Sequence, residues 1–454
     1  MEEFEYRFKR FLINNKIEIL IACLTFLFFS LTPIRDFGGD TVPVKYVTLS
    51  IINEGNFDLD EYISFLKVNY PYDPDKNGLP YYVVRGTNDH YLSTYGVGAP
   101  MIYYPFVAFA NYFLKFSTDS WYKLMLTFKI ASAILMSLAS IVIYKILRYK
   151  TSDRGAVILT GAFALCTNVW TISSQAPWQH GPNQLMLLFA TYFVIRGENE
   201  SEYIKYAAIP LAFSVLIRPT SALFAIIFSL YIVWKHRDQF VYYMLMALPF
   251  FAVYAAYNYA YFQNIFASGQ LIASQNIALI QTSDQYLWSG DMIQGMIGIL
   301  FSPSRGIFIY SPFFVLLFLN AMPWKREPIG ILLLVCSISL LITASLWFNW
   351  WGGYTYGYRT ISDIIPFIII LLSLSFNEMY GTKWKRSIFW FLLVLAFSIQ
   401  MIGAYLYDNS WNIENNVDKN HDVLWDWNNT QIGYYINKML SRAPVYTNSQ
   451  RYGD

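Results

Sequence analysis

The chain holds 454 residues, of which 56% are hydrophobic and only 14% charged, with a formal net charge of +2. A soluble domain averages about 25% charged residues, so this composition excludes an ordinary soluble fold. The near-neutral balance gives no basic footprint for nucleic acid, which excludes that class of partner. Mean hydropathy is +0.34, and the apolar residues come in repeated runs of the length a bilayer demands, roughly 20 residues of helix.

The first run, IEILIACLTFLFFSLTPI, follows MEEFEYRFKRFLINNK. It lacks a small-residue cleavage site and is long for a signal-peptide core, so it is read as a retained first span over 17–34. Ten more spans are expected over 122–144, 155–174, 180–195, 206–217, 219–234, 239–262, 306–323, 329–347, 362–376 and 387–405. Only Arg218-Pro219-Thr220 divides the two short spans near 218, and a single kinked helix is the alternative there. With the N-terminus in the cytoplasm, the inner segments 1–16, 145–154, 196–205, 235–238, 324–328 and 377–386 hold 17 of the 32 Lys and Arg residues. Dense Lys/Arg in short connections marks the cytoplasmic side. Cys23, Cys166 and Cys336 each lie inside an apolar run, where buried apolar roles are expected rather than disulfides.

Three outer segments are long: 35–121, 263–305 and 406–454. The reading is a transmembrane body over 1–405, with 35–121 as its first extracytoplasmic loop, and an extracytoplasmic tail over 406–454. Within the first loop, GAPMIYYPFVAFANYFLKF is apolar but rich in Tyr, Phe and Pro, which suits an interfacial, jutting helix. Internal repeats are not evident, which argues against an inverted-repeat transporter.

Charges at or within spans cost about 2.5–3.5 kcal/mol at the bilayer centre by insertion scales, so each one asks for a reason. Asp36 and Asp40 follow the first span, His180 lies between the third and fourth, and Arg218 between the fifth and sixth. Arg305 opens the eighth span, and Arg359 and Asp363 lead into the tenth. All fall on the outer face of this topology. Arg218, Arg305 and Arg359 are candidates for holding a lipid phosphate through paired hydrogen bonds; snorkelling, or pairing with Asp363, is the structural alternative. A partly desolvated carboxylate accepts a proton from a hydroxyl nucleophile, and Asp40, after Gly38-Gly39, is the first candidate. Asp36, beside Arg35, is the second and the more structural of the two. His180, and His90-Tyr91 in the first loop, are candidates for donating to substrate; satisfying a loop carbonyl is the plainer role.

This layout resembles the GT-C class of integral-membrane glycosyltransferases, which includes protein mannosyltransferases and the lipid A aminoarabinose transferases. GGDTVPVKYVTLSIINEGNFDLDEY is similar to that class's acid followed by a Tyr-bearing amphipathic helix, and STYGVGAPMIYYPFVAFANYF to its jutting helix. The chain departs from the pattern at Asp40-Thr41, where many members have Asp-Glu, and at Gly98-Ala99-Pro100, where many have Lys-Pro-Pro. The resemblance implies an all-α GT-C-like bundle, a polyprenyl-phosphate-linked sugar donor and Asp40 as general base. It implies inverting transfer to a hydroxyl of a glycan, lipid or protein acceptor at the extracytoplasmic face of the cell envelope. No cofactor is demanded; a divalent cation on Asp36, Asp40 and Asp89 is a minor alternative. A transporter or flippase of lipid-linked saccharides, or a noncatalytic subunit of the same fold, are the competing functions.

Overall fold

The computed structural model describes residues 14–70, 78–116, 120–267, 269, 288–318 and 327–441. The described residues are mostly helical. The helices are α1 (Lys16–Ser30), α2 (Thr41–Asn53), α3 (Gly98–Leu114), α4 (Trp121–Arg148), α5 (Asp153–Leu165), α6 (His180–Gly197) and α7 (Ala208–Ile217). They continue as α8 (Ala222–Lys235), α9 (Phe240–Phe262), α10 (Met292–Phe301), α11 (Pro328–Leu346), α12 (Ile365–Ser373), α13 (Lys383–Leu406) and α14 (Gln431–Leu440), with shorter turns between. Among the described residues one antiparallel ribbon, β1 (Val83–Arg85) with β2 (Tyr91–Ser93), stands in the first loop.

Among the described residues, four helical stretches are long and apolar enough to cross a membrane: Trp121–Arg148, Arg237–Phe262, Pro328–Leu346 and Lys383–Leu406. Helix α9 buries only Tyr243 and Asn258. An apolar helix exposed nearly all round is one that faces lipid. Helix α1 shows the same logic on one face: Leu20, Leu24, Leu27 and Leu31 point outward while Ile21, Thr25 and Phe29 point in. Cys23 shares the outward side, whereas Cys166 and Cys336 are buried; all three are free thiols.

Several expected spans prove to be interrupted helices. The third ends in a π-helical turn over Val169–Ser173. The stretch from 306 runs as a short helix, Ile307–Tyr310, then breaks at Ser311 before a 3-10 segment, Pro312–Phe318. Proline lacks a donor and pushes the preceding residue out of helical geometry; Ser311 sits at φ −138, ψ 66. Residues 319–323 of that span and the adjoining inner segment up to 326 lie outside the described residues, as do 1–13 and 442–454 of the terminal segments. Helices α7 and α8 part at Arg218, whose backbone is extended.

Helix α4 is the central strut, packed by α1, α3, α5 and α6. Helix α2 lies against α3, and α13 against α14. Most of the core is a single apolar cluster that reaches from Phe29 through Phe128, Leu188 and Ile369 to Trp411, Leu424 and Tyr435, so residues 406–441 are part of the main body. Helix α3 behaves as an interfacial element: Ala99, Pro100, Tyr103 and Val107 are buried, while Phe109, Tyr112 and Phe113 at its far end are exposed.

The first loop reaches the helix break at Arg218 through bare backbone. A Cβ on Gly96 would fall 2.2 Å from the Leu216 carbonyl oxygen, and one on Gly98 2.6 Å from the Ile217 nitrogen. Neither obstacle is a flexible side chain. Gly96→Ala is therefore expected to lower stability by about 1–3 kcal/mol through overpacking. Gly161→Ala, on α5 with nothing within 4 Å of the added atom, should be neutral or raise stability by up to about 1 kcal/mol through helix propensity. Thermal unfolding of both variants in detergent checks the contrast.

Candidate active site

The site begins at the turn that ends the first loop's opening stretch. Gly38 and Gly39 take positive φ, 63° and 44°, a conformation that costs glycine little. A Cβ on Gly39 would also fall 2.6 Å from the Tyr81 hydroxyl. The turn delivers Asp40 to the start of α2, yet its side chain makes no capping bond to that helix. Instead its carboxylate faces away, accepting from the Tyr81 hydroxyl at 2.6 Å and the Tyr95 hydroxyl at 2.5 Å, and pairing with Arg359.

The ribbon explains why two tyrosines arrive together. Its register pairs Val83 with Ser93, and the Thr94 N–H donates to the Tyr82 carbonyl at 3.0 Å, which holds the adjoining Tyr81 and Tyr95 close together just beyond the ribbon. Neither tyrosine is conspicuous in the sequence, because nothing local reveals that register.

Arg359 continues the path. Besides Asp40, it donates to the Gly352 carbonyl at 2.7 Å, and its guanidinium lies 4.8 Å from the centre of the Trp178 ring, a cation–π contact. Trp178 and Gln179 lead into His180, at the start of α6. His180 Nδ1 is 3.2 Å from Asp363 Oδ1, and Arg218 Nη1 lies 2.9 Å from His180 Nε2 and 3.4 Å from Asp363 Oδ2. Thus Asp40, Arg359, Trp178, Gln179, His180, Arg218 and Asp363 form one contiguous chain of contacts. Of the residues expected from sequence, it unites Asp40, Arg359, His180, Arg218 and Asp363.

Four buried N–H groups on this path have no partner among the described residues: Trp178 Nε1, Gln179 Nε2, Arg218 Nε and Arg359 Nε. A buried donor left unpaired costs about 1–3 kcal/mol, and nearly all such groups in folded proteins are satisfied. A set of orphaned donors, two of them on guanidinium groups, is what an anion would satisfy.

Other expected site residues lie elsewhere. Asp36 is a structural anchor: its buried carboxylate accepts from Gly38 N at 3.0 Å, Lys45 Nζ at 2.9 Å, Tyr70 at 2.6 Å and Trp121 Nε1 at 3.1 Å. Burial pushes its acidity one way, but the Lys45 charge and these donors outweigh it and hold the group below the usual carboxylate range. Its partner is Lys45, not the adjacent Arg35, which instead caps the last carbonyls of α13 at Gly403, Ala404 and Tyr405. Helix ends leave such carbonyls unsatisfied. Arg305 is likewise structural. It is fully buried, and its guanidinium donates to the carbonyls of Trp351, Ser304 and Gly353 and to Gln431 and Asn412. Those five contacts engage all five N–H groups and leave none for a phosphate. His90 and Tyr91 sit at the far end of the ribbon, about 13 Å of extended chain from Tyr95. There Asp60 takes the His90 ring at 2.7 Å and the Tyr91 amide at 2.7 Å. The three carboxylates Asp36, Asp40 and Asp89 do not assemble a cation site: the first two are held by separate sets of donors, and Asp89 is 94% exposed at the ribbon turn.

No protein-family model matches the chain, and no curated protein matches it. Solved structures do. ArnT from Cupriavidus metallidurans, bound to undecaprenyl phosphate, superposes with TM-score 0.53 at 13% identity, over 96% of this chain and 73% of the other. The archaeal oligosaccharyltransferase AglB from Archaeoglobus fulgidus, in complex with an inhibitory peptide and a dolichol-phosphate, superposes with TM-score 0.51 at 13% identity, over 97% of this chain and 61% of its own. The chain has a GT-C-like fold. It spans about three fifths of the archaeal oligosaccharyltransferase. At this identity the likeness is one of architecture; together with the four long apolar helices of this chain it supports an integral membrane protein. In this GT-C-like fold the long first loop carries Asp40, and the helix breaks at 174–180, 218 and 359 bring the remaining polar groups to it.

The environment of Asp40 sets its acidity. Burial alone would raise it; the Arg359 charge and the two tyrosine hydroxyls win and lower its pKa to about 2. A carboxyl whose folded pKa lies below its unfolded value of about 3.9 adds stability above the unfolded pKa and loses it as pH falls through the folded one. The melting-temperature gap between the wild type and Asp40→Asn should therefore stay constant above about pH 5 and shrink between about pH 4 and pH 2. Thermal unfolding across that range, in an acid-tolerant detergent, measures it.

Proposed function

We propose that the protein transfers a sugar from a polyprenyl-phosphate-linked donor to an acceptor hydroxyl, with inversion, at the extracytoplasmic membrane face. The observation that carries this reading is the Asp40–Arg359 pair standing beside orphaned buried donors that run on to Arg218. In this orientation the N-terminus is cytoplasmic and residues 406–454 are extracytoplasmic.

The donor's phosphate takes the free Nε–H groups of Arg359 and Arg218 and the Trp178 indole N–H, with its lipid tail among the apolar helices. Phosphate oxygens at Arg359 compete with Asp40 for the guanidinium and loosen its hold on the carboxylate. Asp40, held at about 2 in the resting protein, becomes a stronger base when that charge is shared. It then accepts the proton of the acceptor hydroxyl as the hydroxyl oxygen attacks the anomeric carbon. The bond from that carbon to the phosphate oxygen breaks, and polyprenyl phosphate leaves with the bonding electrons. Negative charge on the leaving phosphate grows through the transition state, where fixed cationic donors stabilise it most. Tyr81 and Tyr95 orient the carboxylate, and Asp363 with His180 positions Arg218. Asp36, Lys45, Arg35 and Arg305 hold the frame.

Purified protein supplied with a polyprenyl-phosphate sugar and hydroxyl acceptors should release polyprenyl phosphate. Asp40→Asn should lower turnover by about 10²-fold or more, the scale of general-base catalysis, while keeping its fold. Arg218→Gln should chiefly weaken donor binding, by about 10-fold or more, the value of one charge-assisted hydrogen bond. Wild-type turnover in Asp40→Asn would remove that residue from the chemistry. No release of polyprenyl phosphate from the wild type, with the intact lipid-linked sugar appearing in the opposite leaflet, would favour a flippase.

A further inference from the structure

At the end of the ribbon remote from Asp40, three ligand-bearing side chains meet. The chain at 58–59 meets β2 at one isolated bridge: Asp58 bridges Leu92 in antiparallel fashion, and Leu59 N–H donates to the Tyr91 carbonyl at 2.7 Å. Alternate residues of an extended segment share a face. Leu59 therefore points into the core, where it is fully buried, and Asp58 and Asp60 point together to the other side, at His90. His90 Nδ1 is 2.7 Å from Asp60 Oδ2 and 3.7 Å from Asp58 Oδ2. One ligand atom from each residue falls within 4.8 Å of the other two.

Asp58 is the unusual member. Its side chain is only 4% exposed, yet among the described residues its one side-chain hydrogen bond is a long 3.4 Å contact from the Asp60 N–H. A buried carboxylate so poorly served is expensive unless a cation or good donors attend it. His90, at 39% exposure, opens the group to solvent.

We propose that Asp58, Asp60 and His90 bind a divalent transition-metal cation of the zinc type. Two carboxylate oxygens and one imidazole nitrogen suit such an ion, whereas calcium and magnesium prefer oxygen alone. Metal–ligand bonds of about 2.0–2.2 Å place ligand atoms about 3.4 Å apart. The observed separations bracket that value, so closure needs shifts of about 1 Å, and water completes the shell on the open side.

The ion joins residues 58–60 to the turn of the ribbon whose other end presents Tyr81 and Tyr95 to Asp40. It thereby stiffens the ribbon that carries both tyrosines; this consequence rests on the function proposed above, while cation binding itself does not.

The test uses the full chain in lipid nanodiscs, stripped with chelator and titrated with Zn²⁺ alone by calorimetry. One site is expected, at least 10-fold weaker in His90→Gln and in Asp58→Asn, with Ca²⁺ a poor substitute. Amide exchange over 83–93 should slow when Zn²⁺ is added to the wild type and not to His90→Gln. Asp58 is buried and its variant risks misfolding, so the partly exposed His90→Gln, checked by thermal unfolding, decides the matter. Equal Zn²⁺ affinity in wild type and His90→Gln, or none in the wild type, overturns the proposal and leaves a histidine–carboxylate pair. Neither readout involves sugar transfer, so its failure and that of the transferase reading are told apart.

Discussion

The ion pair between Asp40 and Arg359 is the contact on which the arrangement turns. It joins two segments 319 residues apart in sequence, both largely shielded from water, with side chains 22% and 16% exposed. A charge taken out of water must be met by an opposite charge and by hydrogen bonds. Here Arg359 supplies the first and two tyrosines the second. That requirement forces the first loop, with its ribbon, to lie over the segment preceding α12. These segments are thus tied together instead of standing as loose connections.

Around this pair the buried charges divide into two kinds. Asp36, Lys45, Arg35 and Arg305 are met by partners and leave no buried polar atom orphaned among the described residues. Satisfied in this way, they rigidify the loops and the tail against the helices. Arg359, Arg218 and their neighbours keep buried donors without partners. Buried polar groups of this kind are commonly completed by water, an ion or a ligand. Residue type alone does not decide this: the Arg305 guanidinium is fully engaged, while Arg359 keeps a buried Nε–H without a partner among the described residues.

Much was legible along the chain. Apolar runs announced the membrane class, because burying or lipid-facing a helix demands long apolar stretches whatever their neighbours. Gly38-Gly39-Asp40 announced a turn with a displayed acid, and scarce charges in apolar surroundings drew attention to Arg218, Arg359, His180 and Asp363. The GT-C resemblance, carried by the first loop and its jutting helix, agrees with the architecture found. The division of the chain into continuous spans was less legible. Ser311-Pro312 and the π-helical turn at 169–173 interrupt helices whose hydropathy is unbroken, since apolar composition does not report backbone geometry.

What the sequence determined by itself was the solvent of the protein and the inventory of its chemistry, because hydrophobicity and charge are properties of single residues and short windows. What only the tertiary structure decided was partnership. It set Lys45, not Arg35, on Asp36; it enclosed Arg305 in carbonyls and amides; it brought Tyr81 and Tyr95 to Asp40 through a strand register; and it gathered Asp58, Asp60 and His90 at the far end of that same ribbon. Each of these depends on distances between residues far apart in the chain, and such distances are set by packing of the whole fold and not by any local pattern.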